Sequence, residues 1–589
     1  MGEAFYEGAR ALADKSVQRP APEGASGPGG RRHKAGWSPY SLDFPANCPI
    51  EPIGVYGDLY FFLDSKRHLQ TVRGSEFKPK HVQSMLGEFQ EYKCEAWPRW
   101  KKPDEDGRIV CDGWRPEWAI DVLMAEAARR GVWNAEGRLR GPGCWRDDDG
   151  HTLVMHCGDT VFLGAAPLSP GKIGGYVYHA DSARPKPLMT YGENKIGLEI
   201  LDILKGWAWS RPGIDPILML GWIGAAILGG ALDWRPLVWI TGDKATGKST
   251  LQRLVRGLMG DDSVIASSDS TAAGVWQRVG HMSLPVALDE LEASTNNAKA
   301  QGIISLARQA GSGDQMLRGG ASHSGSSFTV RNCFMFSSIL IPPLLGQDIS
   351  RMAVLCLDTL PKDSIPPAFD RAWLAGAAVK LRGRLVKNWV LLDERIAAAK
   401  EVLARFGHGG RGGDQFGTLL ACASLLVNDE DPGEDVFSAW GALLDRRGDG
   451  DEEADHERCL SHLLSSLVDV YRGGARRTVA DWIKQAAGFD RQRTDAEEAR
   501  EALGNMGIGL LEKKDAEGIP FKLVLVANDH QGLAAIFKGT HWMGQSGSDG
   551  VWAQALCRVN GAIRDRQRFN GMRKYCTAIP LASLFGEER

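Results

Sequence analysis

Thr241-Gly242-Asp243-Lys244-Ala245-Thr246-Gly247-Lys248-Ser249-Thr250 directly follows the apolar stretch Pro236 to Ile240 and precedes an amphipathic run carrying Leu251, Leu254 and Leu258. The spacing GxxxxGK[ST] between a strand-like segment and a helix is a phosphate-binding loop in the context that gives the motif meaning. Its glycines let backbone N–H groups curl around a triphosphate. Lys248 reaches the β and γ oxygens, and the Ser249 hydroxyl stands at the helix N-terminus, where Mg²⁺ is held. Gly242, Asp243, Lys244, Ala245, Thr246, Gly247, Lys248, Ser249 and Thr250 are therefore candidate nucleotide contacts, with ATP and Mg²⁺ as the implied ligands.

Further along, Leu284-Pro285-Val286-Ala287-Leu288 is an apolar strand that ends in two acids, Asp289 and Glu290. Such an ending downstream of a phosphate loop is a Walker B pattern. Asp289 can hold the Mg²⁺ shell, and Glu290 can orient or deprotonate the water that attacks the γ-phosphate. Glu292 competes for the base role. The next apolar strand, Cys333 to Phe336, ends at Ser337-Ser338, and Asp348-Ile349-Ser350-Arg351 leads into a last strand, Met352 to Leu357. A guanidinium at Arg351 can stabilise charge on the γ-phosphate of a neighbouring subunit; the alternative is a surface residue or an internal ion-pair partner.

This set of spacings, over roughly residues 215 to 360, resembles the superfamily-three helicases. These form the AAA+ branch of viral, phage and plasmid replication proteins, and the likeness is nearest to the helicase parts of phage and prophage primase-helicases. The resemblance implies a doubly wound P-loop sheet, a polar sensor at Ser338, Arg351 acting in trans, and assembly into a hexameric ring. It also implies a β-hairpin that carries a basic residue and a histidine to single-stranded DNA. Leu317 to Gly325 offers Arg318 and His323 for that hairpin, and Trp276 matches the family's aromatic loop before Walker B, with a plain core tryptophan as the alternative. Two departures stand out: the family's sensor strand usually ends in Asn rather than serine, and its hairpin base is commonly Lys rather than Arg.

The rest of the chain sets the frame. A length of 589 residues suggests about three or four domains. Hydrophobic content of 43% with 24% charged residues is that of an ordinary folded protein. The net charge of -3 excludes a uniformly basic coat, so nucleic-acid contacts must come from local patches. Eleven cysteines without a CxxC pair, and no leader-like apolar segment in Met1 to Gln18, point to a reducing, cytoplasmic setting. The uncharged run between Asp215 and Asp233 falls short of a membrane span and reads as a buried helix, so no membrane partner is expected. Cys144, His151, His156 and Cys157 lack metal-ligand spacing and read as a β-hairpin turning at Asp147 to Gly150.

The expected organisation is multidomain α/β. Residues 1–38 read as a flexible segment, 39–180 as an α+β accessory domain rich in tryptophan, and 195–360 as the ATPase domain. Residues 361–447 read as a helical region broken at the Gly-rich 407–413, and 458–589 as a winged-helix-like domain. Near the C-terminus Arg558, Arg564, Arg566, Arg568, Arg573 and Lys574 crowd together with Trp542, Trp552, Phe569 and Tyr575 interleaved. Such a mixture suits phosphates and stacked bases; a solvated basic helix is the other reading. No paired-carboxylate polymerase motif is visible in the first 180 residues, so a primase or initiator would be a separate partner. The reading is a ring-forming, ATP-driven DNA helicase or translocase in replication of a phage, prophage or plasmid-like element. The alternative is an AAA+ switch (initiator, loader or defence factor) that binds DNA without unwinding it.

Overall fold

Alternation in the strand before the phosphate loop decides how the central sheet is covered. Val238 and Ile240 enter one apolar core, and Leu237 and Trp239 enter another on the opposite face, as side chains one residue apart on a strand must. The computed structural model describes residues 43–102, 111–267, 270–292, 298–313, 315–318, 326–342, 344, 346–361, 367–444, 455–468, 477–489, 496–514, 518–540, 542–543, 550–569 and 571–585. The chain divides into two units, Met1–Asp449 and Gly450–Arg589.

The first unit is built on five parallel strands. In chain order the elements are α1 (Asp215–Leu228), β1 (Leu237–Thr241), α2 (Lys248–Met259), β2 (Ile265–Ser267), α3 (Ala272–Val279), β3 (Val286–Leu288) and α4 (Ala298–Ser312). A hairpin of β4 (Gln315–Arg318) and β5 (Ser326–Thr329) follows, then β6 (Phe334–Ser338) and β7 (Met352–Cys356). The sheet order is β2-β3-β6-β1-β7, with Thr241 in register with both Ser338 and Cys356. Parallel strands bring all their C-terminal ends to one edge, so the segments after Thr241, Leu288 and Ser338 emerge side by side.

Helices cover both faces. Residues of α1 and α2 share the first core with α5 (Arg371–Asn388), α6 (Leu392–Arg405) and α7 (Gly410–Val427), whereas α3 and α4 fill the second. Helix α1 is apolar around its circumference because it is enclosed between the sheet and α7. Trp222 donates its indole N–H to the Phe334 carbonyl at 3.2 Å. Gly221 permits the close crossing of α1 and α7: a Cβ there would sit 2.0 Å from the Leu419 carbonyl oxygen. Among the described residues no helix is long and apolar enough to cross a membrane.

Residues 361–447 carry the helices α5, α6 and α7 and share the first core, where Leu381, Leu403 and Leu419 pack with Leu218, Val238 and Leu254. The Gly-rich stretch is only partly a break, since α7 begins inside it at Gly410. Arg382 of α5 is buried, and its guanidinium donates to the Leu258 and Met259 carbonyls at the end of α2. It thereby satisfies orphan carbonyls and complements the negative end of that helix.

Small sheets make up the N-terminal part, antiparallel except where Tyr176–Tyr178 pairs in parallel with Leu139–Arg140, with the helix Pro116–Arg130 among them. Gly143–Arg146 pairs with Leu153–His156 across the turn that contains Asp147 to Gly150, and buried His156 shares a hydrogen bond with the His179 carbonyl at 2.8 Å. No group of three metal-ligating side chains occurs among the described residues. Trp97, Trp133 and Trp145 are buried, so the tryptophan content is largely core; Trp100 is exposed. Arg146 ties this hairpin to α6 through Asp393 at 2.8 Å.

The second unit opens with α8 (Asp455–Ser465), α9 (Val479–Ala487) and α10 (Ala496–Met506). Four strands follow: β8 (Ile508–Lys514), β9 (Pro520–Ala527), β10 (Ile563–Phe569) and β11 (Met572–Pro580). Thr478 caps α9 reciprocally with Asp481. The strands form an antiparallel sheet in the order β8-β9-β11-β10, two strands more than the sequence pattern suggested. The Arg-rich segment is thus a strand pair, not a basic helix.

Candidate functional site

The backbone of the loop after β1 takes a shape that side chains resist. Ala245 has φ 65° and Gly247 φ 91°, both left-handed. Glycine relieves the strain at the second position, where a Cβ would lie 2.7 Å from the Trp207 indole nitrogen. Trp207, buried behind the loop, donates that N–H to the Gly247 carbonyl at 3.1 Å. It supports the loop from the first core, a contact that its distance in sequence conceals.

Helix α2 starts at Lys248, so its unpaired first-turn N–H groups face the loop, which is the arrangement that binds anions. Lys248 donates to the carbonyls of Gly242 and, at 2.9 Å, Asp243. Thr246 is buried and donates its hydroxyl to the Asp243 carbonyl at 3.0 Å. Asp243, Lys244, Ala245 and Ser249 are exposed, and Thr250 is half-buried.

A chain of hydrogen bonds joins this helix to the end of β3. Gln252, one turn beyond Lys248, donates to the Ser337 hydroxyl at 2.8 Å, and Ser337 in turn donates to Asp289. Ser338, the expected sensor, faces the other way: it is 1% exposed and accepts the Trp239 indole N–H at 2.8 Å. The pleat of β6 puts adjacent serines on opposite faces, and it is Ser337 that meets Asp289. Glu290 is exposed with φ 56°, a left-handed conformation that is costly outside glycine. Glu292 accepts the backbone N–H groups of Ile339 at 2.7 Å and Leu340 at 3.1 Å, so it clamps the turn after β6.

Other expected residues lie elsewhere. Arg351 precedes β7 at the opposite edge of the sheet, about 15 Å away by the length of a five-residue strand. Its guanidinium is half-buried, 6.0 Å from the Trp234 ring. The neighbouring Asp348 pairs with Arg308 at 2.9 Å. Within one chain Arg351 does not reach the phosphate loop. Trp276 is 8% exposed and packs with Trp239 and Phe334 in the second core, so its ring is not a surface for stacking. Arg318 ends β4 opposite Ser326, and His323 lies outside the described residues.

In the second unit, Arg564, Arg566 and Arg568 occupy alternate positions of the edge strand β10 and are all exposed. Across the pair stand Tyr575 opposite Arg566 and Arg573 opposite Arg568. Tyr575 is 60% exposed, and the Arg566 guanidinium lies 5.0 Å from its ring. Trp542, Trp552 and Phe569 are buried, leaving Tyr575 as the aromatic on this face from the four expected.

No protein-family model matches the chain, and no curated protein matches it. Among solved structures it is similar to the A form apo structure of the NrS-1 C-terminal region, with 11% identity over 90% of this chain and 96% of that one, at a TM-score of 0.32. A second structure of that region (305-718), also the A form, gives 11% identity, 89% and 94% coverage and a TM-score of 0.30. A third apo structure (305-718) gives 10%, 90% and 96%, again at 0.30. Matches of this size carry no weight for the fold or the chemistry, which rest on the chain's own geometry.

Proposed function

We propose that residues 195–360 are an AAA+ ATPase of the superfamily-three type and that the chain is a ring-forming DNA helicase or translocase. The observation that carries this reading is the phosphate loop joined through Gln252 and Ser337 to Asp289 at the end of a nearby parallel strand. The strand order supports it, with the loop strand β1 between β6 and β7.

The residues at this edge fit a Mg²⁺-nucleotide. Ser249 and Asp289 offer hard oxygen donors, the class that Mg²⁺ prefers, and Asp289 already accepts the Ser337 hydroxyl. Bound there, Mg²⁺ supplies charge neutralisation at the phosphates. Lys248 exchanges the loop carbonyls for phosphate oxygens, and the first turn of α2 binds the same anion through its N–H groups. Glu290, exposed beside Asp289, orients the attacking water. Arg351 serves the site of a neighbouring copy, because its own site lies at the far edge of the sheet. This requires a homo-oligomer, which the resemblance makes a hexamer. Single-stranded DNA contacts the β4–β5 hairpin through Arg318 and His323, and the Arg564, Arg566, Arg568 and Arg573 face of the second unit. The setting is replication of a phage, prophage or plasmid-like element.

The test is the ATPase rate with and without single-stranded DNA, for the unaltered chain and for Arg318→Ala/His323→Ala. DNA stimulation that disappears in the variant is the expected result. Hydrolysis indifferent to both DNA and variant would sink the motor and leave a switch that does not unwind.

A further inference from the structure

A cavity of about 170 Å³ opens at the edge of the central sheet opposite the phosphate loop. Its walls include Asp233 before β1, His281 before β3 and Arg331 before β6, together with Arg140 and Tyr176 of the N-terminal part. Backbone hydrogen bonds from Gly141 to the His281 carbonyl, 2.8 Å, and from Ser283 to the Pro142 carbonyl, 3.0 Å, hold the two sides together.

Arg140 stacks over Tyr176, its guanidinium carbon 3.1 Å from the ring centroid, and donates one nitrogen to the Tyr178 hydroxyl at 2.7 Å and to the Arg146 carbonyl. Its other N–H groups meet no acceptor among the described residues. The Arg331 side chain meets none at all there; only its backbone N–H is bonded, to Asn332. Arg146, the third arginine on the wall, is matched by Asp393. No described carboxylate forms an ion pair with Arg140 or Arg331, and exposed Asp233 is the acid that faces them. Burial and the Arg140 charge hold Arg331 below the ordinary guanidinium range, with Tyr176 and Asp233 opposing.

Two like charges brought together in a partly dry cavity repel, and a guanidinium with open donors is poorly satisfied. An oxyanion removes both faults at once, because each planar fork presents paired N–H groups at the spacing of phosphate oxygens. At about 170 Å³ the cavity has room for a phosphate group. We infer that this cavity is a second oxyanion site, taking one phosphate group between Arg331 and Arg140 against the wall of Tyr176. The phosphate belongs to a nucleic-acid strand or to a free phosphate compound. Arg331 follows β5 by two residues, so an anion held there sits at the root of the β4–β5 hairpin.

The full-length chain carrying Lys248→Ala, which disables the phosphate loop, is titrated with inorganic pyrophosphate and with a labelled oligothymidylate. Thermal melting and anisotropy are the readouts, with chloride at equal ionic strength as control. Pyrophosphate should raise Tm more than chloride does, and Arg331→Gln should abolish that rise while melting no lower than its parent, since repulsion from Arg140 is relieved. About tenfold weaker oligothymidylate binding in Arg331→Gln at 0.1 M salt assigns the phosphate to a strand. Unchanged oligothymidylate binding with a lost pyrophosphate response assigns it to a free ligand. If Arg331→Gln melts lower and loses the response, Arg331→Lys decides: recovery of the response supports the site, and continued loss overturns it. A pyrophosphate response absent from the parent, or retained in Arg331→Gln, also overturns it.

Discussion

The two edges of the central sheet are made from the same parallel strands yet treat charge in opposite ways. At the C-terminal edge the inward-facing groups are already engaged: Lys248 lies on loop carbonyls, Ser337 on Asp289, and Glu292 on two backbone N–H groups. At the other edge Arg331 and Arg140 share a cavity without a paired carboxylate among the described residues. The difference teaches that one sheet can hold a site organised before its ligand arrives and a second whose charges need a ligand to balance them. Preorganised donors suit charge that changes during a reaction. Uncompensated guanidiniums suit an anion that is only held.

The largest effect expected comes from breaking the first edge. Lys248→Ala should weaken ATP binding by at least about 100-fold, the scale for removing one partner of a charge-assisted pair. Fluorescent-nucleotide titration measures it, and an affinity close to that of the unaltered chain would leave the C-terminal edge without a nucleotide site.

Next comes a pair of substitutions that sharpens the same edge. Ser337→Ala removes the donor that positions Asp289 and should slow ATP turnover about tenfold. Ser338→Ala should leave turnover within about twofold and lower stability by about 1 kcal/mol, because the Trp239 indole N–H is left without its acceptor. Steady-state kinetics beside denaturant melts separate the two; equal effects on turnover would mean that the face of β6 is immaterial.

The smallest effect belongs to the exposed guanidiniums of the second unit, which water and salt screen far more than those in the cavity. Arg566→Ala should weaken single-strand binding only a few-fold and lower the slope of log K against log salt by about 1. A slope unchanged by this substitution would make the β10 arginines edge protection against strand pairing rather than a phosphate contact.

Local patterns in the chain were readable where one element decides the outcome. The apolar alternation and glycine spacing around residues 236–259 correspond to β1, the loop and α2, and the turn at Asp147 to Gly150 corresponds to a hairpin. Side-chain direction was harder. Phe334 to Ser338 contains two serines, and which of them meets Asp289 depends on the pleat and on the register of β6 against β3. Trp276 was legible as either loop or core, and only the packing of α3 on the sheet made it core. The Arg564, Arg566 and Arg568 alternation has the period of a strand, but the partner strand that exposes it lies beyond a turn.

Sequence by itself determined what acts over a few residues: where the backbone can turn left-handed, which runs alternate, and which helix begins with unpaired N–H groups after a glycine. Steric and hydrogen-bond rules of the backbone operate at that range, so residue types suffice. Tertiary structure alone decided the contacts of Trp207 with Gly247, Gln252 with Ser337, and Arg140 and Arg331 with one cavity. These depend on strand register and on the packing of segments far apart in the chain, where burial of large apolar surfaces outweighs the local preference of any single polar residue.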